Sequence, residues 1–285
     1  MDEKPTWFVT GAATGLGAAL AEHALESGDR VVLAARSAHD LSGVRARFPD
    51  TALTVELDVV DAAQRQEAVA AAEAWAGGVD VLVNNAAIDF LGAIEEQDEA
   101  DVRAQFEVNV FAPVALVRLV LPGMRARRRG TIVNVSSMDG IAALPANGYY
   151  SATKFALEGL TESLWQEIEP IGLRAFLVEP GSFRTGIEGR THVSGRPIPD
   201  YDATVGAFVR TVSAVRPEQF PGDPRRAAEE IVRNVRAAEP RRRLVLGSDA
   251  YRRIGDRLAR STTELDTGRE LAASTDFPGS GPAVL

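Results

Sequence analysis

Tyr150 and Lys154 stand four residues apart in Tyr-Ser-Ala-Thr-Lys, a spacing that puts both side chains on one face of a helix. A phenol at its ordinary pKa of ~10 transfers protons poorly at neutral pH, and an ammonium beside it favours the phenolate. The pair is therefore a candidate proton-transfer device. Taken alone it has a plainer explanation, a half-buried tyrosine with an exposed lysine, so its meaning depends on its surroundings. A second candidate is Thr10-Gly11-Ala12-Ala13-Thr14-Gly15-Leu16-Gly17. Glycines let a backbone turn sharply and approach a phosphate, and a helix that starts there points free N–H groups at the anion. The spacing is G-x-x-x-G-x-G, not G-x-G-x-x-G, so position along the chain has to decide.

The elements that would hold these groups follow from the apolar pattern. Trp7-Phe8-Val9 is a short buried strand that runs into the glycine turn, and from Leu16 the spacing becomes helical through Leu20 and Ala24 to a stop at Ser27-Gly28. Further strands are expected at 31–34, 52–57, 79–83, 131–135, 174–178 and 244–246. Between them the pattern predicts helices from about Leu41, at 62–75, 98–121, 150–169 and 224–238. Asp223-Pro224 supplies a capping carboxylate before a proline at the first helical position, and Pro170 ends the preceding long helix. Seven nearly continuous apolar strands alternating with helices call for a parallel sheet covered on both faces, a doubly wound α/β fold. Residues 182–222 break the alternation with Gly and Pro and little period, as a flap or specificity loop does. Residues 248–285 form an extension, helical at most over 251–270, with its last residues expected to lack structure.

At 285 residues the chain can bury one substantial core. With 45% apolar and 25% charged residues it has the balance of a globular domain, and its longest apolar runs are too short or too interrupted for a membrane span. Cysteine is absent, which removes disulfides, thiolate nucleophiles and cysteine metal sites. His23, His39 and His192 are scattered, so no histidine metal site is expected. The start, Met-Asp-Glu-Lys-Pro, lacks the features of a secretory signal, and cytoplasm is the expected compartment. A net charge of −9 argues against nucleic-acid partners. Arg125 and Arg127 to Arg129 read as cations at a helix C-terminus, and Arg241 to Arg243 as a solvated loop.

Eighteen residues after Gly17 the second strand ends at Ala35-Arg36. An NAD site places Asp or Glu near this point for the ribose 2′-hydroxyl. Here alanine stands there, and Arg36 can pair with a 2′-phosphate, which favours NADP over NAD while leaving NAD possible.

In this setting the chain resembles the short-chain dehydrogenase/reductases of the single-domain type, over about 7–247. The resemblance rests on the glycine motif, Asp58-Val59, Asn84-Asn85-Ala86-Ala87, Asn109, Ser137, Tyr150 with Lys154, and Pro180-Gly181, all in the family's order. Ala87 departs from the pattern, since glycine is usual there. The resemblance implies a Rossmann-type domain over 1–247 and a catalytic tetrad of Asn109, Ser137, Tyr150 and Lys154. It implies that Tyr150 handles the proton at the substrate oxygen and Lys154 lowers its pKa and holds the nicotinamide ribose. Ser137 would hydrogen-bond the substrate oxygen, with Asn109 keeping a water-linked path to the lysine. Gly11, Thr14, Gly15, Leu16, Gly17, Arg36, Asp58, Val59, Asn85, Ala86, Pro180, Gly181 and Thr185 would complete the cofactor site. The expected activity is carbonyl–alcohol interconversion with a small-molecule substrate, by a homodimer or homotetramer. An epimerase or dehydratase of the same fold and a non-catalytic nucleotide sensor are the alternatives. Phe183, Ile187, Tyr201, Phe208 and Phe220 could form an apolar cover or pack in the core.

Overall fold

A computed structural model describes residues 4–186 and 191–281. Ile187 and residues 282–285, among them the end of the tail expected to lack structure, lie outside the described residues. The main sheet has seven strands: β1 (Thr6–Thr10), β2 (Arg30–Ala35), β3 (Ala52–Glu56), β4 (Val81–Asn84), then β6 (Thr131–Val135), β7 (Arg174–Pro180) and β9 (Arg243–Leu246). Two short strands, β5 (Phe90–Leu91) and β8 (His192–Val193), form a small sheet of their own. The main order is β3-β2-β1-β4-β6-β7-β9 with all pairings parallel.

Every residue of β1, β4 and β6 is buried, because helices cover both faces of a parallel sheet. On one face α1 (Gly15–Glu26) and α8 (Pro224–Arg236) pack over Trp7, Val9, Leu33 and Phe176. On the other, α3 (Ala62–Ala76), α5 (Ala112–Arg127) and α6 (Gly148–Ile168) cover Phe8, Leu82, Ile132 and Leu177. Asp223 caps α8 as its sequence suggests, accepting from Arg225 N at 2.9 Å. The strand order reverses between β1 and β4, so the crevice at the carboxyl ends of those two strands is where a doubly wound sheet binds its ligand.

The structure departs from the sequence reading in four places. The helix expected at 98–121 runs on to 127, as α4 (Glu99–Phe106), a π-helical turn at Glu107–Phe111 and α5. By length and composition this is one helix able to cross a membrane, contrary to the expectation of none. Its Leu116, Val117, Val120 and Met124 are nevertheless buried in the core. The segment read as having little period contains β8, α7 (Ala207–Ala214) and short turns. It is tied down where Ser194 N donates to Leu91 O at 2.8 Å, Ile198 N to Glu96 Oε1 at 2.7 Å and Tyr201 Oη to Glu95 Oε2 at 2.6 Å. Of the two readings open for Phe183, cover or core, the structure gives the core.

The fourth departure is the arginine run. Arg241 and Arg242 are exposed ahead of β9, Arg242 pairing with Glu169, but Arg243 lies in the strand and pairs with Glu158, Glu162 and the buried Glu179. Two buried carboxylates need a cation, and none of these partners is near in sequence. After β9, α9 (Ser248–Thr267) and α10 (Arg269–Ala273) complete the described chain.

Candidate active site

The glycine turn joins β1 to α1 at the reversal of strand order. Gly11 and Gly15 have φ of +64° and +61°, the left-handed region that favours glycine. At Gly17 the constraint is space: a Cβ there would stand 2.4 Å from Asn85 Nδ2 and 2.5 Å from Gly11 O. Asn85 fastens the two strand ends together, its Nδ2 donating to Thr10 O at 2.9 Å. Thr10 Oγ1 in turn accepts the amides of Asn85 and Ala86 at 2.9 and 3.1 Å and donates to Val83 O at 3.2 Å. No acidic residue lies in the first turn of α1, so nothing there repels an anion from its N–H groups.

Beside this turn, β2 and β3 end together, with Leu57 N donating to Ala35 O at 2.8 Å. Asp58 is half-buried and accepts from Val60 N at 3.2 Å, its own amide held by Gln64 Oε1 at 2.7 Å. Val59 is buried. Arg36 is exposed at the end of β2. These residues suit a dinucleotide phosphate: Cβ-free backbone at Gly17, an N-terminal turn without anions, and a guanidinium at the surface beside it.

Across the crevice lies the second constellation. Lys154 is 2% exposed; its Nζ donates to Val135 O at 2.9 Å and stands 5.5 Å from the centre of the Tyr150 ring. Burial draws the ammonium down to about 8, with Asp89, Glu158 and Asp139 holding it up. Ser137 follows β6 in extended backbone, and its Oγ accepts from Asp139 N at 3.1 Å. Burial pushes the Tyr150 phenol above its ordinary value, Asp89 and Asp139 add to this, and a hydrogen bond with Ser137 opposes it. The hydrogen bond from Ser137 favours ionisation of the phenol, while the Lys154 ammonium stands over the face of its ring.

Asn109 sits in the π-helical turn, buried. Its Oδ1 accepts from Ile88 N at 2.9 Å, and its Nδ2 donates to Ile88 O at 2.8 Å and Thr153 Oγ1 at 3.1 Å. Thr153 Oγ1 donates to Tyr150 O at 2.7 Å. Asn109 therefore ties the loop after β4 to the turn of α6 that carries Tyr150. A π-turn at such a place is a common mark of functional sites. Pro180 ends β7, and Gly181 N donates to Leu246 O at 2.8 Å. Thr185 lies farther along, its amide donating to Phe183 O at 2.8 Å.

The structure adds four residues that sequence reasoning missed: Asp89, Asp139, Asn147 and Arg253. Asp89 is pushed up to about 7, first by burial and then by Asp139, with Lys154 opposing. Its Oδ1 is buried without a hydrogen-bond partner. Asp139, two residues past Ser137, could have been flagged by that proximity. Arg253 carries no sequence signal, since it reaches Asp139 from 114 residues away.

Comparison with known proteins matches this fold. The family model described as short chain dehydrogenase matches residues 5–193. A short-chain dehydrogenase structure from Streptomyces avermitilis is 38% identical, with a TM-score of 0.90, covering 97% of this chain and 100% of its own. A short chain dehydrogenase/reductase from Burkholderia phymatum in complex with NAD is 25% identical, with a TM-score of 0.79, covering 99% of both chains. A short chain dehydrogenase from Burkholderia cenocepacia in complex with NADP is 26% identical, with a TM-score of 0.72, covering 93% of this chain and 97% of its own.

Proposed function

The chain belongs to the short-chain dehydrogenase/reductase family of NAD(P)-dependent oxidoreductases, and we propose that it is an NADP-dependent carbonyl reductase, interconverting a ketone or aldehyde with the corresponding alcohol. The observation that carries this reading is the convergence of Ser137, Tyr150 and Lys154 beside a glycine turn that leaves no room for a side chain at Gly17. Arg36 in place of an acid at the end of β2 supports NADP over NAD.

In this reading the turn at Gly11 to Gly17, with Thr14 and Leu16, holds the pyrophosphate. Arg36 takes the 2′-phosphate, Asp58 and Val59 border the adenine, and Asn85 and Ala86 line the ribose. Pro180, Gly181 and Thr185 face the nicotinamide end. The bound dinucleotide supplies or accepts the hydride. Ser137 donates a hydrogen bond to the substrate oxygen, and Tyr150 gives or takes its proton. Lys154, fixed by Val135 O, holds the ribose hydroxyls, and Asn109 fixes the turn of α6 from which Tyr150 acts. In a site held this rigidly, positioning is the protein's main contribution.

Residues 1–247 act as the catalytic domain, with 182–222 as the substrate loop and 248–285 as an extension. Exposed Phe111, Phe155 and Leu160 lie on the 99–127 helix and α6, and they support pairing of those helices in a homodimer or homotetramer. We place the enzyme in the cytoplasm. The test is stoichiometry across a panel of ketones: one alcohol formed per NADPH consumed. Product formed without net NADPH oxidation would point to an epimerase or dehydratase instead.

A further inference from the structure

Asp139 and Arg253 form a buried ion pair at the catalytic serine. Asp139 lies in the turn Met138–Gly140 after β6, with its amide and both carboxylate oxygens engaged. Its amide donates to Ser137 Oγ at 3.1 Å, and Ser137 Oγ donates to Asp139 Oδ2 at 3.4 Å. The same oxygen accepts from Asn147 Nδ2 at 3.2 Å, one residue before α6 begins. Asp139 Oδ1 accepts from Arg253 Nη2, which also donates to Ala142 O. The Arg253 side chain is only 19% exposed, and Asp139 only 11%. Arg253 belongs to α9, beyond residue 193 where the family match ends.

We propose that Asp139 and Arg253 are positioning residues of the active site: the Asp139 amide holds the Ser137 oxygen beside Tyr150 and leaves its proton to turn to the substrate, and Arg253, delivered by the C-terminal helix, fixes Asp139 and balances its charge. The inference rests on the reading of Ser137 and Tyr150 as catalytic groups. It gives the C-terminal extension a part in the reaction that the core fold does not supply.

The charges around the phenol make this testable. Tyr150 faces Asp89 from the loop after β4, Asp139 from the turn after β6, and Lys154 from its own helix, with the Ser137 hydroxyl between. Of the two carboxylates, only Asp139 has an arginine partner among the described residues. Removing the Asp139 charge lets the phenol ionise more easily, whereas removing the Arg253 charge leaves Asp139 uncompensated and makes ionisation harder. A pair that merely braced the loop would lower rate or stability in both variants without moving a titration midpoint in opposite directions.

The experiment uses the full chain with NADP and an alcohol that the wild type oxidises. It reads the midpoint of the rising limb of kcat/KM against pH, with thermal midpoints measured in parallel. Asp139→Asn is expected to lower the pH midpoint by about one pH unit, and Arg253→Gln to raise it by a similar amount. Arg253→Lys should restore a profile near the wild type. Shifts in the same direction, or no shift in folded variants, would overturn the proposal. If Arg253→Gln fails to fold, the direction of the Asp139→Asn shift decides. Wild-type turnover that survives Tyr150→Phe would overturn the proposed function itself, a result distinct from unmoved midpoints in a Tyr150-dependent enzyme.

Discussion

Replacing Asp89 by asparagine should stabilise the protein, and do so more at alkaline than at acidic pH. The Asp89 carboxyl is pushed from 3.8 to about 7, mainly by burial, and its Oδ1 has no hydrogen-bond partner. The native state therefore keeps a proton that the unfolded chain releases above pH ~4. Stability falls as pH rises between the two values, and the full penalty is reached once the native group ionises above about 7. At ~1.36 kcal/mol per pKa unit, the charge costs up to about 4 kcal/mol near pH 8.5 and about 2 kcal/mol near pH 5.5. Asparagine keeps the shape and carries no charge at either pH. Denaturant unfolding of both proteins at the two pH values gives the comparison. The expected result is a stability gain larger by about 2 kcal/mol at the higher pH. An equal change at both would refute the argument, because a difference in packing alone does not titrate.

Gly17→Ala places a Cβ against Asn85 Nδ2 and the Gly11 carbonyl, an overpacking that costs about 1–3 kcal/mol. NADPH binding measured by fluorescence titration should weaken at least tenfold, and unchanged affinity would mean the turn does not hold the dinucleotide. Arg36→Ala removes a charge-assisted contact worth about 1.5–3 kcal/mol, so KM for NADPH should rise roughly 10- to 100-fold while KM for NADH stays the same. Equal effects on both cofactors would remove the assignment of Arg36 to the 2′-phosphate.

What the sequence showed and what it concealed divide along physical lines. The seven main strands were legible because each is a near-continuous apolar run, such as Val31 to Ala34 or Val81 to Val83, which burial on both faces demands. The glycine turn was legible because Gly11 and Gly15 need positive φ locally, although part of the limit at Gly17 comes from Asn85 after β4. The arginine clusters were not equally legible. Arg125 and Arg127 lie in the last turn of a helix whose period is visible, but Arg243 finds Glu158 and Glu179 across 85 and 64 residues of chain. The electrostatics of the site were hidden for the same reason. Lys154 is adjacent to Tyr150 by helical spacing, yet the phenol is raised first by burial and then by the carboxylates of Asp89 and Asp139, which reach it from other loops. The π-turn at Asn109 was invisible because its apolar neighbours Val108 and Val110 fit an ordinary helix equally well.

The central claim is that Tyr150 transfers the proton at the substrate oxygen, and Tyr150→Phe tests it most directly. The hydroxyl is the only group removed, so NADPH affinity should stay within about twofold, while kcat for ketone reduction should fall by about 10²- to 10⁴-fold. A phenylalanine variant that binds NADPH normally and keeps most of the wild-type kcat would contradict the account.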